Sequence, residues 1–231
     1  IVRDNPKADA GSTNPSLNIS VGIRFVLKNP QAWLLALYSM LLVAPIAAFA
    51  EMWGVEFFQT SYCLPKDFAA SFLANIFLGI AIGGPLIGWF GSQFTNLRMV
   101  MLIGCLVTFS TLLAIIYIHS LSFFTVSVLL FLFGFSTSNM LLCFAIANRI
   151  FPSFATGTAI GFINMLIMAG GAVFQPIIGK LLDISLSMSQ SVFYTKLTLS
   201  DFQQALTLLP SCTLIAILLI YFIKPNQAEN P

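Results

Sequence analysis

The chain has 231 residues, of which 58% are hydrophobic and 8% are charged, and its formal net charge is +2. A soluble domain carries about 25% charged residues, which cover much of its water-facing surface. This composition excludes a soluble enzyme and a disordered chain, and the small net charge excludes a nucleic-acid partner.

Residues 1–31 are predicted to form a cytoplasmic linker ahead of a membrane domain. The sequence begins with Ile1 instead of Met, which we interpret as the start of a fragment or of a processed product. A short amphipathic stretch with two basic residues, 21–28, predicts a helix that lies in the membrane interface and contacts lipid. Asn29 and Pro30 are typical of an N-cap and a first helical position, so the first span is expected to begin there.

Six stretches are long and apolar enough to cross about 30 Å of hydrocarbon as helices. Their uniform apolarity favours helices over barrel strands, which alternate in polarity. The sequence therefore predicts an all-α membrane protein whose domain, 32–223, has spans at 32–53, 69–90, 99–118, 121–147, 155–179 and 203–223, followed by a tail, 224–231. Long outer loops are expected at 54–68 and 180–202.

Basic residues are distributed unequally between the two predicted faces. An even number of spans puts both termini on one face, which carries seven Lys and Arg residues against three on the other. The positive-inside rule then predicts cytoplasmic termini. We expect a multi-pass protein of the bacterial inner membrane.

Polar side chains within the spans indicate which helices face protein or water, because an amide that faces acyl chains leaves its donors and acceptors unpaired. Amides occur in spans two, four and five and are absent from the interiors of spans three and six. Spans one, two, four and five are therefore predicted to line a site for a small-molecule solute, with the other two outside. The candidate binding residues are Tyr38, Asn75, Ser136, Asn139, Asn164 and Gln175.

Glycines accompany the amides at helical spacing in two spans. In the second span Gly79 and Gly83 follow Asn75 at steps of four, and in the fifth span Gly157 and Gly161 precede Asn164. Glycine motifs of this kind most often indicate close helix packing. The sequence leaves packing and ligand contact open as alternatives.

Glu51 is the only charged residue inside the predicted spans. It lies about 27 Å along the helix axis from Trp33, at a rise of about 1.5 Å per residue, so we expect it near the outer interface. Its candidate roles are proton coupling and an outer gate contact, with ordinary snorkelling as the alternative. Glu56 and Asp67 are expected in loops, and His119 in an outer turn.

Nothing in the sequence indicates an enzyme, a metal or a cofactor. The four cysteines, at 63, 105, 143 and 212, are scattered and have neither metal-binding nor disulfide-framework spacing. A serine protease needs a serine and a histidine at depth, yet the single histidine is His119 and no G-x-S-x-G motif occurs. We expect no catalytic residue, no metal site and no cofactor.

Several segments, in order, resemble the C-terminal six-helix half of the major facilitator superfamily. Residues 1–6 resemble the exit from its sixth helix, 79–89 its eighth helix, and 150–183 its tenth-to-eleventh connection and eleventh helix. The resemblance implies that the six spans are helices seven to twelve of a 12-helix fold. It also implies a central cavity lined by helices seven, eight, ten and eleven. A weaker resemblance is to bacterial nutrient transporters, including phagosomal amino-acid transporters.

The cytoplasmic loop motif departs from the pattern of that family, in which an acidic residue precedes basic ones. Between Gly88 and Arg98, Ser92 occupies the acidic position and only Arg98 remains basic. No Asp or Glu occurs from 68 to 182, so Arg98 and Arg149 are expected to bind phosphates, helix C-termini or acids elsewhere.

These observations lead to two functional hypotheses. The first is the C-terminal domain of a secondary transporter that moves a small organic solute by alternating access, with symport driven by an ion, expected to be the proton. Its partner would be the N-terminal six-helix half. The alternative is a self-sufficient carrier or channel made by two copies of this chain.

Overall fold

The computed structural model describes residues 19–93, 96–118, 121–188 and 197–224. Within these ranges the chain is helical, with a short surface helix, α1 (Ile19–Lys28), ahead of six long apolar helices. The prediction of an all-α protein with six membrane-crossing helices is confirmed. The proposed resemblance at 1–6, the side chain of Ser92, His119, and most of the tail lie outside the described residues.

The six spans are continuous helical segments, and spans 1, 4 and 6 contain local irregularities. Span 1 comprises α2 (Pro30–Pro45), a π-helical segment (Ile46–Trp53) and α3 (Gly54–Tyr62). Span 4 comprises α6 (Phe123–Thr137), one 3₁₀ turn (Ser138–Met140) and α7 (Leu141–Ile150). The other spans are span 2 in α4 (Lys66–Gln93), span 3 in α5 (Leu97–Tyr117), span 5 in α8 (Ser153–Met188) and span 6 in α9 (Leu199–Leu206) with α10 (Leu208–Ile220).

Span 1 and span 5 extend beyond their expected ends. The segment expected as a loop at 54–68 is helical through Tyr62, and Asp67 lies in the first turn of span 2, so the loop assignments of Glu56 and Asp67 are wrong. Span 5 likewise continues to Met188. A 33-residue helix is about 50 Å long and exceeds the hydrocarbon thickness of about 30 Å. Hydropathy marks the part in lipid and misses polar turns that project beyond it.

The spans pack in pairs. Span 2 lies along span 4, and span 1 lies along span 5. Span 3 and span 6 pack against each other and contact span 4 and span 1, respectively. We call the end of the bundle where span 1 begins the inner end, and the opposite end the outer end.

Span 2 and span 4 approach each other backbone to backbone at glycines. A Cβ atom on Gly134 would overlap the carbonyl oxygen of Ile76, and one on Gly79 would overlap that of Phe131. The absence of side chains at these two positions permits the contact. In span 2, therefore, the glycine pattern serves helix packing.

Helix α1 is docked at the inner end of the bundle. Val26 is fully buried, and a Cβ on Gly22 would lie 3.0 Å from the hydroxyl of Thr158 in span 5. The predicted cap is present, since the side-chain oxygen of Asn29 accepts a hydrogen bond from the backbone N–H of Gln31 at 2.9 Å. The capped turn holds α1 beside the start of span 1.

Candidate functional site

Tyr38 and Asn139 meet in the interior of the bundle. Tyr38 is fully buried and Asn139 is 1% exposed. The amide nitrogen of Asn139 donates to the carbonyl oxygens of Met101 at 2.8 Å and Val100 at 3.2 Å, and it lies 3.4 Å from the Tyr38 hydroxyl. Both candidate residues therefore face span 3, which supplies their partners.

Ser136 points in the same direction. Its hydroxyl lies 2.8 Å from that of Thr108 in span 3, and it also donates to the carbonyl oxygen of Phe133 in its own helix. Ser136 is 4% exposed. Three of the six candidate binding residues are thus enclosed among the helices, where a solute would reach them only after the helices separate.

Span 3 contributes polar groups that are not among the predicted site residues. The thiol of Cys105 donates to the Tyr38 hydroxyl at 3.4 Å, and Thr108 bonds Ser136. A signal for this was present, because Cys105, Thr108 and Thr111 recur at steps of three and form one weakly polar stripe. In the described part of the chain, the Ser39 hydroxyl and the Asn139 carbonyl oxygen are buried without a hydrogen-bond partner.

Asn164 has the opposite environment. Its side chain is exposed and makes no hydrogen bond with the described residues, and Met168, one turn further on, is 65% exposed. Gly157 and Gly161 precede it on the same stripe, and a Cβ on either would meet no atom within 4 Å. Unlike Gly79 and Gly83 of span 2, these glycines leave an open surface.

Asn164 lies well inside the membrane-crossing part of span 5. It lies eleven residues after Ser153, the first residue of span 5, or about 16 Å along the helix. Because the hydrocarbon is about 30 Å thick, this position is close to the bilayer midplane. An amide with unmet donors and acceptors at that depth is stable only where water, a ligand or another protein surface faces it.

Gln175, also in span 5, is committed to a contact within the chain. Its side-chain nitrogen donates to the carbonyl oxygen of Ala47 at 2.8 Å, and the indole N–H of Trp53 donates to the Gln175 carbonyl oxygen at 3.3 Å. Ala47 belongs to the π-helical segment that follows Pro45. These two bonds join span 5 to the irregular part of span 1.

The remaining polar candidates lie at the surface. Asn75 is half-buried, and its nitrogen donates to the carbonyl oxygen of Phe72 in the same helix at 2.9 Å. Glu51 is exposed and lies in the π-helical segment, within the outer half of the bundle. Neither side chain forms a hydrogen bond with Tyr38, Ser136 or Asn139.

The two arginines of the inner end bind helix C-termini. Arg98 donates from Nε to the carbonyl oxygen of Ile223 at 2.6 Å, and Arg149 donates to that of Gly91 at 2.9 Å. Of the three kinds of partner expected for these residues, the structure shows the helix C-terminus. Gly88, in the same loop motif, is exposed, with no atom near its Cβ position.

Two solved structures of a bacterial homologue of the human lysosomal transporter Spinster are similar to this chain. The inward-facing, unoccupied form has a TM-score of 0.67 at 14% sequence identity, and the match covers 100% of this chain and 54% of that chain. The inward-facing, occupied form has a TM-score of 0.62 at 12% identity, and the match covers 95% of this chain and 54% of that chain. The sequence matches no protein-family model and no curated protein.

At this level of identity the likeness shows the fold. The chain spans about half the length of the two similar structures. The predicted all-α fold with six membrane-crossing helices is confirmed, and it corresponds to about half of each similar transporter structure.

Proposed function

We propose that this chain is one half of a secondary transporter that moves a small organic solute across the membrane by alternating access. The observation that carries the proposal is Asn164, an exposed amide without a partner near the bilayer midplane. Transporters built from repeated helix bundles bind their solutes at this depth, between the repeats. An aqueous cavity at the face of span 5 satisfies the amide that lipid would leave unpaired.

Within the proposed site, the candidate residues have different roles. Asn164 contacts the solute directly. Asn75 also binds the solute once its side-chain nitrogen, which donates to the carbonyl oxygen of Phe72, donates to the solute instead. Tyr38 in span 1 and Ser136 and Asn139 in span 4 bond span 3, and they so position the wall of the cavity. All of these groups are neutral, so any charge on the solute is met by the partner half.

The partner half approaches along the open stripe of span 5. Gly157 and Gly161 present no side chain, so a helix of the partner can pack close to the backbone there. The coverage of about half of the similar structures supports an N-terminal six-helix partner. The alternative partner is a second copy of this chain. A two-fold axis would then relate the two copies.

Glu51 is the residue that we propose for ion coupling or for the outer gate. It is exposed within a π-helical segment, and such segments occur frequently at functional sites. Movement of span 1 at this segment would change the exposure of the carboxylate, which proton-coupled symport requires. The excess of basic residues at the inner end supports cytoplasmic termini in an inner membrane.

Thiol accessibility tests the proposal without knowledge of the solute. In native membranes, and in a Cys63→Ser background that removes the exposed cysteine, Asn164→Cys and Met168→Cys should react with a membrane-impermeant thiol reagent. Leu106→Cys is the matched control, because Leu106 is similarly exposed but lies on span 3, which we expect to face lipid. Reaction of Asn164→Cys no faster than the control would overturn the proposal.

Reconstitution separates the two possible partners. Liposomes that contain the chain alone should show no solute flux, and flux should appear when the partner half is present. Flux from the chain alone, together with a dimer in detergent, would instead support the carrier made of two copies.

A further inference from the structure

Helix α1 lies at the inner end of the bundle, beside the start of span 1 and the turn between spans 4 and 5. The Phe25 ring packs edge-on against Phe151 and Phe154, with ring centroids 6.5 and 5.4 Å apart, and these two residues flank the turn between spans 4 and 5. Trp33, at the start of span 1, donates its indole N–H to the Leu27 carbonyl oxygen at 2.9 Å. Tryptophan is typical of the interface between lipid and water. Helix α1 is therefore expected at the level of the lipid headgroups.

The exposed surface of α1 combines apolar side chains with two cations. Arg24 and Lys28 are exposed and stand one helical turn apart. The apolar residues on the free surface of α1, each 40–46% exposed, are Val21, Ile23, Phe25 and Leu27. A helix with this composition binds at a membrane surface through its apolar side chains and attracts anionic lipids through its basic ones.

The described acidic residues all lie in the outer half of the bundle, far from α1. They are Glu51, Glu56, Asp67, Asp183 and Asp201. At the inner end, Arg98 and Arg149 already bind carbonyl oxygens. Among the described residues, Arg24 and Lys28 thus have no carboxylate within reach, and their charges are complementary to an external anion.

A third cation is held at the same corner. The backbone N–H of Lys224 donates to the side-chain oxygen of Gln31 at 2.8 Å, and the Gln31 nitrogen donates to the Phe222 carbonyl oxygen at 3.2 Å. Gln31 lies three residues after Lys28. The end of span 6 is thus tied to the junction of α1 and span 1, and it adds the charge of Lys224 there.

We propose that Arg24 and Lys28 bind the phosphate of an anionic phospholipid whose acyl chains lie against Val21 and Phe25. A lipid headgroup fits this surface better than free phosphate, because the cations are flanked by exposed apolar side chains that need a hydrocarbon partner. The bound lipid fixes α1 to the membrane and, through Gly22 and Val26, fixes the start of span 5.

Native mass spectrometry of the full chain in detergent, titrated with phosphatidylglycerol, tests this site. Arg24→Gln with Lys28→Gln should raise the dissociation constant of the lipid by about 25-fold, because each basic residue near an anionic surface strengthens binding by about fivefold. The matched control is Lys66→Gln with Lys180→Gln, which removes the same charge from exposed positions at the outer end. The control should bind phosphatidylglycerol like the wild type.

A charge-preserving variant, a zwitterionic lipid and a competing headgroup provide three further comparisons. Arg24→Lys with Lys28→Arg preserves both charges and should retain binding, so its failure to bind would contradict a role for charge. Phosphatidylcholine should bind weakly to every variant. Equal loss of binding in the outer-end control, or displacement of the lipid by glycerol phosphate at equal concentration, would overturn the lipid site.

Discussion

The side-chain nitrogen of Gln175 in span 5 donates a hydrogen bond of 2.8 Å to the carbonyl oxygen of Ala47 in span 1. Ala47 lies in the π-helical segment after Pro45, where the regular hydrogen-bond pattern of the helix is interrupted. A neighbouring span therefore supplies a donor to the irregular turn. Trp53, at the end of the segment, bonds back to the Gln175 carbonyl oxygen.

Replacement of Gln175 by Leu should destabilise the chain. The substitution leaves the partly buried Ala47 carbonyl oxygen without its donor, which costs about 1–3 kcal/mol. The free energy of unfolding, measured by titration with a denaturing detergent, provides the readout. Gln204→Leu is the control, because Gln204 is exposed, and it should change the stability little. Equal losses in the two variants would show that the contact with Ala47 contributes nothing.

Two glycine-to-alanine substitutions should have opposite effects. Gly134→Ala places a methyl group against the backbone of Ile76 and forces spans 2 and 4 apart, at a cost of about 3 kcal/mol. Gly157→Ala meets no atom and should be neutral or stabilising by up to about 1 kcal/mol, because alanine favours the helix. Thermal midpoints of the two purified variants test this, and similar midpoints would contradict the packing described here.

Substitution of Asn139 should lower the stability of the chain, whereas substitution of Asn164 should lower transport and leave the stability unchanged. Asn139→Leu removes the donor to the carbonyl oxygens of Met101 and Val100 and should lower the free energy of unfolding by about 2 kcal/mol. Asn164→Leu breaks no contact within the described chain, so its stability should match that of the wild type. In the complete transporter, however, Asn164→Leu should reduce solute uptake at least tenfold. Normal uptake at normal expression would remove Asn164 from the proposed site.

Arg98 should be needed for the structure of the inner end. Arg98→Met removes a charge-assisted hydrogen bond to the Ile223 carbonyl oxygen and should cost about 1.5–3 kcal/mol, reduced by partial solvent exposure. Lys180→Met, at an exposed position, is the control. Protease sensitivity of the C-terminal tail should rise in the first variant alone. An unchanged digestion pattern would mean that span 6 is held by its apolar contacts.

Glu51→Gln should uncouple transport from the proton gradient if the carboxylate carries the proton. Concentrative uptake should then be lost, while exchange of labelled for unlabelled solute across the membrane continues, since exchange needs no net proton movement. Glu56→Gln, one turn further along the exposed part of span 1, is the matched control and should leave both activities intact. Retained concentrative uptake in the Glu51 variant would assign coupling to another residue.

The fold class, the number of spans and the start of the first span follow from the sequence alone. These properties are local: a run of about 20 apolar residues must cross the bilayer as a helix, and Asn29 with Pro30 caps a helix wherever it lies. The sequence also narrowed the partners of Arg98 and Arg149, because no acid occurs between 68 and 182. The end of span 1 predicted from the sequence is too early in the chain, because hydropathy does not detect helical turns outside the hydrocarbon.

Which polar residues are enclosed and which are open depends on how the six helices pack. Periodicity shows that Asn164 and Gly161 share one side of a helix, but it does not show which neighbour, if any, covers that side. Packing turns Tyr38, Ser136 and Asn139 towards span 3, a helix that the amide pattern predicts to lie outside the site, and it leaves Asn164 uncovered. The physical reason is that burial depends on the positions of all six helices together, and no single span carries that information.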